Sequence, residues 1–115
     1  METVPRRSTA AYATDRRAEP REPCHLPVIL TIAGREVPGM AVDASASGAR
    51  IECQARLCEG ERIRVRLATP AGTIVVGAEV RWRTHEGGRA RAGVRFDGMR
   101  ARDMWAWLRF IETRR

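Results

Sequence analysis

Two short patterns in the chain bring together residue types that can hold an anion carrying a flat base. Arg17 and Arg21 bracket the run Arg17-Ala18-Glu19-Pro20-Arg21, with Arg16 directly before it. A guanidinium is a planar fork of donors. It matches phosphate oxygens and the Hoogsteen edge of guanine in bidentate geometry, and it stacks on rings. The second pattern is Asp43-Ala44-Ser45-Ala46-Ser47-Gly48, a D-x-S-x-x-G. Each pattern also has an ordinary reading. R-x-x-x-R recurs at Arg62–Arg66 and Arg91–Arg95, and Arg17 and Arg21 alone describe a solvated tail. Asp, Ser and Gly in close succession describe a turn, in which Asp and Ser bond to nearby amides and Gly supplies a positive φ.

Catalytic chemistry has little support. Neither His25 nor His85 stands near a nucleophile elbow, the acids are scattered singly, and there is no P-loop and no G-x-G-x-x-G. Cys53 and Cys58 do not form a C-x-x-C, and Cys24 stands alone beside His25, so the spacing is wrong for zinc. Three cysteines are expected to be free thiols. The reading is therefore a binding protein, not an enzyme, with no metal and no cofactor.

Composition is consistent with that. The 115 residues amount to one domain, and 21 basic against 14 acidic side chains leave a net charge of +7. Every basic residue is Arg. A GC-rich genome produces the same bias, so charge alone implies a phosphate-compatible surface and no more. With 43% hydrophobic and 30% charged residues the chain can build a core, and no apolar run approaches the ~18 residues of a membrane span. The N-terminal stretch has no apolar segment of a signal peptide, so a cytoplasmic location is expected.

The elements that must position the two patterns are strands. Residues 1 to about 22 lack hydrophobic periodicity and read as a flexible arm. After Pro23 the period becomes two. Leu26, Val28, Leu30 and Ile32 alternate with other residues, and Ala33-Gly34-Arg35 is a tight turn. Val37 to Val42 is a second strand, with Pro38 and Gly39 predicting a bulge or an edge. Ala49, Ile51 and Cys53 mark a third, and Ile63, Val65 and Leu67 a fourth whose outward residues are Arg62, Arg64 and Arg66. A long fifth strand runs from about Thr73 to Thr84, with Ile74, Val76, Ala78, Val80 and Trp82 in one phase. Ala90, Ala92, Val94 and Phe96 mark the sixth. Met104, Trp107, Leu108 and Ile111 then follow helical spacing. Six short strands with regular turn signals predict an all-β antiparallel barrel or sandwich, and a barrel would carry the helix across one mouth.

The order of these features carries a resemblance. R-x-x-x-R, then Leu26-Pro27-Val28, then D-x-S-x-x-G, then Gly77-x-x-Val80-x-Trp82, then Gly93-Val94-Arg95-Phe96 resembles the PilZ domain over about residues 16 to 112. The resemblance implies a six-stranded antiparallel barrel with a helix, and a receptor for the bacterial second messenger cyclic di-GMP. It divides the chain into a tail over 1–15 and a domain over 16–115, with the arm at 16–22, the barrel at 24–97 and the helix at 102–112. Guanine N1 and N2 are donors that a carboxylate or hydroxyl accepts, and O6 and N7 are acceptors. In this reading Arg17 and Arg21 hold O6, N7 and the phosphates, and Arg16 adds a phosphate contact. Asp43 and Ser45 receive guanine N–H groups, and Gly48 allows the turn and the close approach of the ligand. Trp82 either packs in the core or stacks on a base. Arg50, Arg62, Arg64, Arg66 and Arg81 are read as solvated surface. The expected partners are cyclic di-GMP and a protein of a motility, pilus, biofilm or polysaccharide pathway, with no membrane and with the chain a monomer or weak dimer. Two other readings stay open. One is a degenerate PilZ adaptor that acts only through protein contacts. The other is a small basic barrel for RNA or single-stranded DNA, disfavoured because most aromatics fall on core faces.

Overall fold

A computed structural model describes residues 19–114. Most of the expected flexible arm, with Arg16 and Arg17, lies outside the described residues. Six strands follow: β1 (Glu22–Ile32), β2 (Arg35–Ser45), β3 (Gly48–Cys53), β4 (Arg62–Thr69), β5 (Gly72–Glu86) and β6 (Arg89–Asp97), and then one helix, α1 (Ala101–Glu112). The strands are antiparallel and close into a barrel in the order β1-β2-β3-β6-β5-β4, as expected. Closure removes the unpaired edges that a small sheet would otherwise have to shield.

Period two builds the core. Leu30, Ile51, Val65, Leu67, Val80 and Ala92 are all fully buried inside the barrel. Arg62, Arg64 and Arg66 occupy the opposite phase of β4 and are exposed, as expected. Arg62 pairs with Asp97, and Arg66 pairs with Glu36 at 2.8 Å. Exposed pairs of this kind are worth about 0–1 kcal/mol, so the apolar interior holds the fold. The Ala33-Gly34 turn has φ of 51° and 82°, the left-handed pair that suits a two-residue hairpin.

The strict alternation breaks at three places, and all three border the same region. Between β2 and β3 the register shifts between Ala41 and Asp43, so Val42 is an extra residue. Ala41 pairs with the buried Ile51, but Asp43 pairs with Arg50 and faces outward. Between β5 and β6 the shift lies between Val80 and Trp82, with Arg81 extra. Val80 stays inside opposite Val94, while Trp82 pairs with Gly93 and is 36% exposed. The placing of Trp82 in the core phase is therefore corrected: a bulge re-aims the side chain to the outer face. The third shift, between Pro23 and Leu26 of β1, lies beside Asp43. At Pro38 and Gly39 the edge, not the bulge, of the two expected alternatives is present. Pro38 pairs with Ile29, and β3 joins β2 only from Gly39 onward, so Pro38 has a strand on one side alone.

The helix also differs in detail from its expected stripe. Trp107, Phe110 and Ile111 are buried, and Leu108 is turned outward. Asp103 lies in the first turn and Arg109 in the last, each the favourable sign for the helix dipole. Trp107 is the anchor. It meets Phe96 edge-on at 5.4 Å and stacks on Phe110 at 5.4 Å. Its indole N–H donates to the Ser45 carbonyl at 2.8 Å. Ser45 ends β2 and Phe96 is near the end of β6, so α1 sits at one mouth of the barrel. Of the three tryptophans only Trp107 is in the core, whereas Trp105 and Trp82 are exposed. The expectation that the aromatics sit mostly on core faces fails for those two.

All three cysteines are free thiols. Burial pushes the Cys24 thiol up, and the nearby Asp43 charge adds to it; burial also pushes Cys53 up. A raised thiol favours the protonated folded state. This contribution is unchanged below the ordinary thiol range and is lost as pH rises through it, when the unfolded chain ionises first. With a thiol reagent at neutral pH the exposed Cys58 should react first, and Cys24 and Cys53 slowly. Rapid modification of Cys53 in the folded protein would contradict this burial.

Candidate ligand-binding site

The D-x-S-x-x-G pattern is a hairpin. Asp43 and Ser45 close β2, Ala46 and Ser47 turn, and Gly48 opens β3. The turn is pinned from two sides. Phe96 N–H donates to the Ser47 carbonyl at 2.8 Å, and Trp107 holds the Ser45 carbonyl. Ser45 itself is buried, and its hydroxyl donates to the Gly48 carbonyl at 3.4 Å. Gly48 is not in the left-handed region, so the positive-φ reading is corrected. Glycine is needed there because a Cβ would stand 2.1 Å from the Val94 carbonyl oxygen on β6.

Both patterns meet across the outer face. The Arg21 guanidinium lies 3.2 Å from Asp43 Oδ1, and Arg50 lies 3.2 Å from Asp43 Oδ2. Arg21 stands just before β1, Asp43 is on β2, and Arg50 faces Asp43 from β3. The registers then run Asp43–Arg50–Gly93–Trp82 across four adjacent strands. Gly93 makes this row possible. A Cβ at Gly93 would stand 2.2 Å from Trp82 Nε1, so the indole lies directly over the glycine backbone. Arg50 Nε is buried without a hydrogen-bond partner among the described residues.

Beside this row is a cleft of about 460 Å³, within the range of small-molecule sites. Its walls include Arg21, Ser45, Ser47, Gly48, Arg81, Trp82 and Arg95. Asp43 is outside the lining and joins it through Arg21. Glu19 also lines the cleft and accepts from the Ser47 hydroxyl at 2.8 Å. Of the residues expected from sequence, Arg21, Asp43, Ser45, Gly48 and Trp82 come together here. Arg16 and Arg17 lie outside the described residues. Arg50, read as solvated surface, is corrected: it is half-buried against Asp43. Arg81 is exposed, as expected, and also lines the cleft. Arg81 is the extra residue of a bulge, which alternation cannot reveal. Arg95 faces Gly48 across the β3–β6 ladder; its outward phase was readable but not its neighbour.

Electrostatically the cleft is cationic. Arg21, Arg81 and Arg95 outnumber Glu19 in the lining. An aromatic face, three guanidiniums and a carboxylate one side chain away suit a ligand with phosphates and a base.

The family model described as the PilZ domain matches residues 15–112. The chain belongs to the PilZ domain family. Similar solved structures include the inhibitor of motility MotI/DgrA of Bacillus subtilis, with 20% identity and a TM-score of 0.76 over 86% of this chain and 51% of that one. The chain thus spans about half the length of that protein. The PilZ domain of Escherichia coli YcgR, solved with c-di-GMP, has 16% identity and a TM-score of 0.69 over 86% and 91%. The PilZ domain of CeSA from a cellulose-synthesizing bacterium has 18% identity and a TM-score of 0.59 over 82% and 96%. No curated protein sequence matches the chain. This PilZ chain shares the barrel and helix of those structures. Among its described residues no helix is long and apolar enough to cross a membrane.

Proposed function

We propose that the chain is a receptor that binds cyclic di-GMP in the cleft beside Trp82. The observation that carries this reading is the meeting of two separate motifs: Arg21 of R-x-x-x-R and Asp43 of D-x-S-x-x-G, 3.2 Å apart at a cationic cleft. Membership of the PilZ family supports it, as does the fold shared with a PilZ domain solved with c-di-GMP.

The chemistry follows from the residues. Arg21, with Arg17 and Arg16 from the same stretch, supplies forks for phosphates and for guanine O6 and N7. Trp82 offers a flat face for a base. Arg81 and Arg95 add positive charge to the lining. An ionised carboxylate has about four acceptor sites, and each Asp43 oxygen engages one guanidinium, so capacity remains for guanine N–H groups. The Arg21–Asp43 pair is on the surface and cheap to rearrange, at about 0–1 kcal/mol. The ligand draws Arg21 off Asp43, and Arg50 holds the carboxylate in place. Ser45 and Gly48 shape the floor. The signal leaves through the segment bearing Arg21 or through a protein partner.

Competition binding in a salt series tests this. Labelled cyclic di-GMP should be displaced by unlabelled ligand, and not by GTP or a single-stranded oligonucleotide at equal concentration. The logarithm of affinity should fall with a shallow slope against salt, because only two phosphates are met. A strand meeting many arginines loses affinity with a slope of about −0.7 per phosphate neutralised. Steep salt dependence with oligonucleotide displacing the dinucleotide would make the chain a nucleic-acid binder.

A further inference from the structure

We propose that the outer face of α1, with the hollow beside it, is a docking surface for an acidic segment of a partner protein that carries an apolar side chain. Trp105 is 71% exposed and Leu108 41% exposed, and at three residues' spacing they lie on one side of the helix. Neither is used by the core. Leu108 also walls a hollow of about 170 Å³, completed by Pro20, Ala46, Ile111 and Glu112. A cavity of about 150 Å³ holds a benzene ring, so the hollow takes one Leu- or Phe-sized side chain.

Charge selects the occupant. Arg102 and Arg109 flank Trp105 on the same helix, both exposed. On the barrel, Arg62 pairs with Asp97 and Arg66 with Glu36, and Arg89 and Arg91 share Glu52, whereas Arg102 and Arg109 have no ion pair among the described residues. Arg100 precedes the helix and Arg114 follows it, over the Phe110 ring at 4.7 Å. An exposed indole between two uncompensated guanidiniums matches an acidic segment. The walled hollow, with Glu112 in its lining, fits one protein side chain better than an anionic lipid surface.

The hollow and the ligand cleft stand back to back. Glu19 and Arg21 line the cleft, while Pro20 between them lines the hollow. Ser45 and Ser47 line the cleft, while Ala46 lines the hollow. Two backbone segments thus form a shared partition. A ligand that moves Arg21 or the hairpin reshapes both sides, and the coupling must be reciprocal. This coupling, unlike the surface itself, rests on the cyclic di-GMP reading.

The test selects random phage-displayed peptides on the immobilised full chain and titrates synthetic copies of the enriched ones. Enriched peptides should be acidic with at least one Leu, Ile, Met or Phe. Trp105→Ser, Leu108→Ser and the double change Arg102→Glu with Arg109→Glu should each weaken them by at least about tenfold. The altered side chains are exposed, and circular dichroism should report an unchanged fold. Peptides without acidic bias, or binding indifferent to these changes, would overturn the proposal. So would Trp105-dependent binding to phosphatidylglycerol vesicles in place of peptide, which assigns the face to a membrane. Concentration-dependent self-association abolished by Trp105→Ser would assign it to a second copy and also overturn it. Repeating the titration with saturating cyclic di-GMP should change peptide affinity several-fold; equal affinities would refute the coupling. A chain that binds the peptides but not cyclic di-GMP would refute the receptor reading and leave the docking surface standing.

Discussion

Trp107→Ala should destabilise the fold by about 3–5 kcal/mol, the usual cost of emptying a buried aromatic site. Trp107 is wholly buried, packs on Phe96 and Phe110, and holds the Ser45 carbonyl through its indole N–H. Truncation removes the ring contacts, opens a cavity at the barrel mouth and leaves that carbonyl without its donor. Trp107→Phe separates the two effects. It keeps most of the apolar volume and loses the hydrogen bond, worth about 0.5–1.5 kcal/mol net, with a further cost if the carbonyl stays dry. Urea denaturation of the three proteins measures both steps. A loss below about 1 kcal/mol for the alanine variant would mean that α1 is not an integral part of the core. The hairpin from Asp43 to Gly48 should also become more mobile, because Trp107 holds one of its carbonyls. Amide exchange at residues 45–48 reads this directly.

Asp43→Ala should weaken cyclic di-GMP by roughly tenfold to a hundredfold while the barrel stays folded. A hydrogen bond to a charged group is worth about 1.5–3 kcal/mol, which converts to that range. The substitution also frees Arg21 and deprives Arg50 of its only ion-pair partner among the described residues, since both guanidiniums sit at 3.2 Å from this carboxylate. The effect on stability should be on the order of 1 kcal/mol, because both guanidiniums are partly exposed although the Asp43 carboxylate is largely covered. Asp43→Asn discriminates charge from shape: it retains one acceptor oxygen and should recover only part of the affinity. Calorimetric titration of each variant, beside a thermal melt, checks both quantities. Unchanged affinity in a folded Asp43→Ala protein would remove the D-x-S-x-x-G hairpin from the site.

Most of the barrel was legible in the sequence because one face of every strand is buried. Ile63, Val65 and Leu67 against Arg62, Arg64 and Arg66 is the plainest case, and the structure keeps that phase. The alternation fails where the backbone carries an extra residue. Val42 and Arg81 each add one position, and each turns the next site residue, Asp43 or Trp82, from the interior to the outer face. A bulge has no period of its own, so a sequence pattern cannot locate it. Gly93 held a local hint, an outward glycine in a strand otherwise carrying Arg there, but its meaning depends on the indole from β5 that covers it. The helix stripe was displaced for another reason. Leu108 and Phe110 both fit a helical face, and the position of Trp107 against Ser45 and Phe96 decides which of them turns inward. The two motifs were visible as strings. Their convergence on one cleft, and the recruitment of Arg50, Arg81 and Arg95, come from cross-strand neighbours far apart in sequence.

The central claim is that cyclic di-GMP occupies the cleft shared by Arg21, the Asp43–Gly48 hairpin and Trp82. An amide-resolved NMR titration of the full chain with cyclic di-GMP tests it most directly. The account predicts saturable shifts concentrated at Arg21, residues 43–49, Trp82 including its indole N–H, and residues 93–95, with the β4 amides of Arg62–Thr69 nearly unmoved. Saturable binding that shifts β4 and spares the hairpin and Trp82, or no shifts at millimolar ligand, would contradict it.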